Sequence, residues 1–236
     1  MSLRNAYKWL GVELVEVSRL EKSIALFGGG LAVFLVAVLS ALALPAEGAV
    51  TVIASTGASA VLLFAVPHGP LSQPWPVIAG HVVSAVIGVA CAQLIGYPPL
   101  AVACAVGLSI GAMLQLKCVH PPGGATAFTA VMGGSAIHQL GFKFVLFPVL
   151  TNALVMVLLA IVINGAFKWR RYPAVLNRSV TPSTKGDSSD VSALTHQRVL
   201  AAIRSLDSFV DISEEDLIRL TELLKEPLKG VMRETL

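Results

Sequence analysis

Charged and apolar positions are separated by region along this chain rather than interleaved. Of its 31 Asp, Glu, Lys and Arg residues, 7 lie in 1–22 and 21 in 168–236; only Glu47, Lys117 and Lys143 interrupt the 145 residues between. A soluble core of that length needs charges on its solvent face, so residues 23–167 are expected in lipid. Four runs, 24–44, 75–96, 98–116 and 144–167, reach the about 20 apolar residues that span a bilayer. Two weaker stretches, 49–66 and 118–137, carry no charge but are rich in Gly, Ser, Thr and Pro. Each is expected as a broken spanning helix or a re-entrant loop.

The fold class is therefore all-α: a polytopic helical membrane protein with two related three-segment halves, each strong–weak–strong. Gly57-Ala58-Ser59-Ala60 and Gly124-Ala125-Thr126-Ala127 align at an offset of 67 residues. Paired Gly/Pro-interrupted segments of this kind point to a transporter's binding site. Six crossings make the halves inverted and four make them parallel. Six is favoured, because the weak stretches are long and uncharged. Arg4, Lys8, Arg19 and Lys22 before the first span, with Lys168, Arg170, Arg171 and Arg178 after the last, place both termini in the cytoplasm.

Four regions follow. Residues 1–23 form an N-terminal interfacial segment, with Tyr7, Leu10, Leu14 and Val17 on one helical face. Residues 24–168 are the transmembrane domain, 169–193 a polar linker, and 194–236 a cytoplasmic helical tail. Within the domain, Gly80, Ser84, Gly88, Ala92 and Gly96 recur every fourth residue, as do Ala103, Gly107 and Gly111. Such stripes let helices approach closely in lipid. The two are joined by a short turn and are expected to pack on each other, a homodimer contact being the competing use.

Composition narrows the function. At 13% charged residues and a net charge of +3, a soluble enzyme and a nucleic-acid-binding protein are both excluded as the main unit. Cys91, Cys104 and Cys118 are odd in number and lie in apolar runs, so no disulfide framework is implied. No metal, nucleotide or redox-cofactor motif is present, and Glu47 is the only carboxylate in the core. Catalysis is not expected.

The most unusual string is His120-Pro121-Pro122-Gly123-Gly124-Ala125-Thr126. Its prolines and glycines break a helix at membrane depth, where freed backbone groups must face protein or a watered cavity. A helix resuming at Gly124 is expected to present unpaired N–H groups, a ready anion site, with the Thr126 hydroxyl as a further donor. Gly57, Ala58 and Ser59 offer the same ingredients in the other half. Lys117 adds positive charge beside the break; at the centre of a span a lysine costs about 2.5–3.5 kcal/mol and lines a pathway or snorkels to an edge. The expected binding set is Gly57, Ala58 and Ser59 facing Gly123, Gly124, Ala125 and Thr126, with Lys117 and His120 supplying charge. His81, inside a span, is a candidate pathway residue. Gln115 and Asn152 are candidates for interhelical hydrogen bonds.

His120-Pro-Pro-Gly-Gly-Ala-Thr-Ala, together with Gly57-Ala-Ser-Ala-Val-Leu-Leu-Phe64, Gln73-Pro-Trp-Pro-Val-Ile-Ala-Gly-His81 and Ser84-Ala-Val-Ile-Gly88, resembles the HPP family of integral membrane proteins over roughly residues 20–170. His120, Pro121 and Pro122 match the string that names that family. The resemblance implies a nitrite-type anion permease, since cyanobacterial and plastid members are associated with nitrite transport. It implies a small inorganic anion as partner, in a bacterial inner membrane. The rival reading is a non-transporting sensor that signals through the terminal helices.

Overall fold

The computed structural model describes residues 18–43 and 46–177, with side chains for 18–42 and 52–176. Most of the interfacial segment, the linker beyond Asn177, the helical tail and the Glu47 side chain lie outside the described residues. Among the described residues seven α-helices run in the order α1 (Arg19–Ala43), α2 (Ala46–Ala65), α3 (Pro74–Leu94), α4 (Pro98–Gln115), α5 (Pro121–Met132), α6 (Gly134–Leu140) and α7 (Thr151–Gly165). A π-helical turn, Val145–Leu150, leads into α7, and single 3-10 turns cover Pro70–Ser72 and Ala174–Asn177. Arg19–Leu42, Pro74–Leu94, Pro98–Gln115 and Val145–Gly165 are long and apolar enough to cross a membrane. These are the four strong spans.

Prolines punctuate the chain. Each of α3, α4 and α5 opens with Pro near its first position, at Pro74, Pro98-Pro99 and Pro121-Pro122. The missing N–H would be unpaired there anyway, and the fixed φ suits the first turn. Ser18 starts α1, its hydroxyl accepting the Glu21 N–H at 3.2 Å. The two weak stretches behave differently. Residues 46–65 form one continuous helix, whereas 118–137 divides into α5 and α6 at Gly133 and Gly134, the latter at φ +76°. Twelve residues make α5 about 18 Å long, short of the about 30 Å hydrocarbon core.

Polarity is inside out, as lipid requires. Leu42, Leu94 and Phe27 are 82%, 83% and 72% exposed, while Ser84, His120 and Asn164 are fully buried. α1 buries one stripe, Ile24, Gly28, Ala32, Val36 and Ser40, against α2 and α7. α5 packs between α2, α3 and α4. Val52 meets Ala130 in one core cluster while Ser59 meets His120 and lies a histidine away from Thr126, so α2 and α5 run antiparallel.

The small-residue stripe on α3 has a different partner from the expected one. It packs on α5. A Cβ at Gly80 would lie 2.7 Å from His120 Cβ and 2.9 Å from the Cys118 carbonyl. One at Gly88 would lie 2.7 Å from Ala130 Cβ, and one at Gly123 2.9 Å from the Gly80 carbonyl. α4 meets its neighbours through Ala101, Ala105, Ser109 and Met113 instead, leaving Ala103, Gly107 and Gly111 exposed. The reason is α5 itself: its glycines and alanines put backbone against α3, and only a partner without bulk accommodates it.

The packed unit also continues past Lys168. Arg170 is 2% exposed; its Nη2 donates to the Phe64 carbonyl at 2.6 Å, its Nε to Asn164 Oδ1 at 3.1 Å, and its Nη1 pairs with Glu21 at the start of α1. Tyr172 is fully buried and donates to the Ser72 carbonyl at 2.8 Å, burial raising its phenol pKa above the usual value. The start of α1, the ends of α2 and α7, and the 66–73 loop are thereby tied at one end of the bundle.

These contacts separate tight from roomy glycines. Gly80→Ala is expected to lower stability by about 1–3 kcal/mol through overpacking against backbone. Gly107→Ala, with open space around it, is expected to be neutral or to gain about 0.5–1 kcal/mol. Thermal unfolding of both purified variants in detergent reads the difference; equal midpoints contradict the α3–α5 packing.

Candidate functional site

The two aligned strings meet on one histidine. Ser59 Oγ lies 2.8 Å from His81 Nε2, and Thr126 Oγ1 lies 2.7 Å from His81 Nδ1. Ser59 and Thr126 are the equivalent positions at the 67-residue offset. Ser59 Oγ also lies 2.9 Å from His120 Nε2, while His120 Nδ1 lies 2.9 Å from the Leu71 carbonyl oxygen. The rings of His81 and His120 meet edge-on with centroids 4.9 Å apart. All four side chains are at most 5% exposed.

With both histidines neutral, this chain of bonds has one self-consistent direction. A carbonyl only accepts, so His120 carries its proton on Nδ1 and its Nε2 must accept. Ser59 has one hydroxyl proton and gives it to His120. Its oxygen then accepts from His81 Nε2–H, which leaves His81 Nδ1 to accept from Thr126 O–H. The contacts of Ser59 with the Ser55 carbonyl, 3.2 Å, and of Thr126 with the Pro122 carbonyl, 3.3 Å, are longer and secondary.

Beside this chain lies a cavity of about 10 Å³, room for about one water, enclosed by α2, α3, α5 and the π turn with α7. Its polar lining is Ser55, Thr56, Ser59, His81, Thr126, Thr129 and Asn152. Asn152 Nδ2 donates to Ser40 Oγ on α1 at 3.1 Å, the interhelical bond expected of it. Its Oδ1 is buried and has no partner. Turning the amide over exchanges the two ends, so in either orientation one polar end bonds Ser40 and the other is left for the cavity. A second, larger cleft of about 390 Å³ lies at the tied end of the bundle, lined by residues that include Glu21, His68, Leu71, Ser72 and Arg170. Leu71 lines the cleft, and its carbonyl holds His120, which bonds Ser59 at the edge of the smaller cavity.

The expected anion site at helix N-termini is not what forms. α5 begins at Pro121, not Gly124; two prolines supply no N–H, and the Gly123 N–H bonds the His120 carbonyl at 2.8 Å. Gly57, Ala58 and Ser59 lie within the continuous helix α2, so there is no N-terminus there either. Of the expected set, Ser59, His120 and Thr126 come together and His81 joins them. Gly123 is a packing residue, pressed on Gly80 and Ser84, whereas a Cβ on Gly124 would meet only Val106 Cγ1 at 3.9 Å. Gly57, Ala58 and Ala125 do not line the cavity.

Lys117 also stands apart. It is exposed, at φ +53°, where the Lys117 N–H bonds the Leu114 carbonyl and the Cys118 N–H the Met113 carbonyl. That is a Schellman end to α4, with lysine in the left-handed position usually held by glycine. Gln115 is exposed as well. Sequence reasoning missed Asn164, Ser72 and Tyr172, and took Arg170 only as an orientation charge. Among the described residues no three His, Cys, Asp or Glu side chains gather as metal ligands.

Relieving the left-handed lysine tests this structural reading. Lys117→Gly is expected to raise stability by about 1 kcal/mol, the steric cost of that conformation for a residue with a Cβ. The unfolding midpoint in detergent checks it, and a lower midpoint than wild type contradicts it.

The family profile described as HPP, transmembrane region, matches residues 15–173. A transmembrane protein of Dictyostelium discoideum is 43% identical over 125 residues, 51% of this chain and 44% of that protein. A second from the same organism is 41% identical over 123 residues, covering 50% of this chain and 39% of its own length. The match thus spans less than half of these relatives. No solved structure matches. With its membrane-spanning helices and its His120-Pro121-Pro122 string at the start of α5, the chain belongs to the HPP family of transmembrane proteins.

Proposed function

We propose that the protein is a permease for a small inorganic anion, with nitrite as the first candidate, moving it through the space between α2, α3, α5 and α7. The observation that carries this reading is a small cavity with polar side chains along part of its wall, inside an otherwise apolar bundle. Hydroxyls of Ser55, Thr56, Ser59, Thr126 and Thr129, with one end of the Asn152 amide, line a space that lipid-facing side chains surround. Intramembrane polar groups are costly unless they serve one another or a passing solute. A solute entering this space would find one end of the Asn152 amide uncommitted and hydroxyls that must turn from the partners they now hold, neutral groups that do not bind a monovalent anion too tightly to release it.

The form described here is closed, since about one water fits. Passage requires the cavity to open, and α5, the short helix packed through small residues, is the element best placed to move. In this reading the chain crosses the membrane six times, α5 and α6 together making one broken crossing. The end that joins Glu21 to Arg170 faces the cytoplasm of a bacterial cell.

Initial nitrite flux into proteoliposomes, normalised to inserted protein, tests the proposal. Asn152→Leu removes the unpartnered amide end and is expected to lower flux about three- to tenfold, the worth of one neutral hydrogen bond. Lys117→Gln, which touches no part of the cavity, is expected to stay close to wild type. Wild-type protein that carries no nitrite above protein-free vesicles overturns the proposal and favours the sensor reading.

A further inference from the structure

The hydrogen-bond chain continues beyond the cavity, and a permease that only needed a polar lining would have no use for its far half. His120 does not line the cavity; it lies between Ser59 and the Leu71 carbonyl, on the way to the cleft. We propose that Thr126, His81, Ser59 and His120 form a proton relay between the central cavity and the end cleft, so that anion movement is coupled to protons. This coupling rests on the permease reading above.

The step balances without electron transfer. A proton arriving in the cavity binds His81 Nδ1, displacing the Thr126 hydroxyl. The His81 Nε2 proton passes to Ser59 Oγ as the Ser59 hydroxyl proton passes to His120 Nε2. His120 then gives its Nδ1 proton to water in the cleft, past the Leu71 carbonyl. One proton enters and one leaves; rotation of the hydroxyl and of both rings restores the starting direction. The spacings of 2.8 and 2.9 Å on the two sides of Ser59 Oγ allow the two transfers between the rings.

Few other groups compete for the proton. α2 presents Ser55, Thr56 and Ser59 to this space, α5 Thr126 and Thr129, and α7 Asn152, all neutral. Ser84 of α3 lies against Gly123, and the Cys118 thiol is on the link from α4, whose carbonyl faces Gly80 beside His120. Glu21, Arg170 and His68 are on the cleft side of Leu71, and Tyr172 holds the Ser72 carbonyl there. Among the described residues the two histidines are thus the titratable pair between the spaces.

The test uses full-length protein in liposomes with the membrane potential clamped at zero by potassium and valinomycin. Two initial rates of nitrite uptake are measured: downhill at equal pH, and driven by an outside-acid pH gradient from equal nitrite on both sides. Both are corrected for protein-free vesicles, which report leakage of nitrous acid. Wild type is expected to show both. In His120→Gln the amide can still bond Ser59 and Leu71 but cannot relay a proton, so the ratio of driven to downhill uptake is expected to fall about tenfold or more. Ser59→Ala, which cuts the chain between the rings with little change in volume, is expected to lower the same ratio and carries the test should His120→Gln fail to fold. An unchanged ratio in the folded variants, or downhill uptake without a driven component in wild type, overturns the relay and leaves the permease standing. Absence of downhill uptake in wild type overturns the permease reading, and the coupling falls with it.

Discussion

The close approach of α3 and α5 at Gly80 and Gly123 is the contact on which the rest of the structure depends. A side chain on Gly80 would collide with His120 and the Cys118 carbonyl, and one on Gly123 with Ser84 and the Gly80 carbonyl. Because neither has one, the start of α5 lies directly on α3, one residue from His81. That proximity lets a histidine at the head of a short helix and a histidine inside a spanning helix share the hydroxyl of Ser59. In lipid no apolar burial drives two helices together, so backbone contact and satisfied polar groups must hold them. Here the same few residues supply both.

The two ends of the bundle are built on different physics. Around the cavity the polar groups are neutral and satisfy one another, apart from one end of the Asn152 amide. At the tied end, charge is used: Arg170 is buried, yet paired with Glu21 and bonded to Asn164 and to a carbonyl of the last turn of α2. A cation at a helix C-terminus favours the dipole and occupies carbonyls that would otherwise be orphaned. Removing the partly exposed Glu21 would leave the buried Arg170 charge without its counter-ion, a costly change. The larger cleft lies between this clasp and the Leu71 carbonyl that holds His120.

Much of this was legible in the residues. Charge-free runs of spanning length revealed the four strong helices, because lipid forbids scattered charge. The strings at Gly57 and Gly124 pointed to two residues that meet, since Ser59 and Thr126 both lie on His81. What the residues did not reveal was mostly pairing at a distance. Ser59 is 22 residues from His81 and 61 from His120, and no local pattern says which histidine a serine will meet. Pro121-Pro122 read as a break exposing N–H groups, whereas prolines at the first positions of a helix begin it and carry no N–H to expose. The stripes on α3 and α4 are alike in spacing, so only the three-dimensional position of α5 decides which of them packs. Arg170 looked like a membrane-edge charge because two of its partners, Glu21 and Phe64, are distant in the chain and only Asn164 lies in the preceding helix.

The direction of the hydrogen-bond chain is the most exposed consequence of this account. Nitrogen-15 NMR of histidine-labelled protein in bilayers, with His81 and His120 assigned by single substitution, reads the protonation of each ring nitrogen directly. With both rings neutral, the contacts assign them opposite tautomers, His120 protonated on Nδ1 and His81 on Nε2. Finding His120 protonated on Nε2 alone, or both rings as the same tautomer, would contradict it.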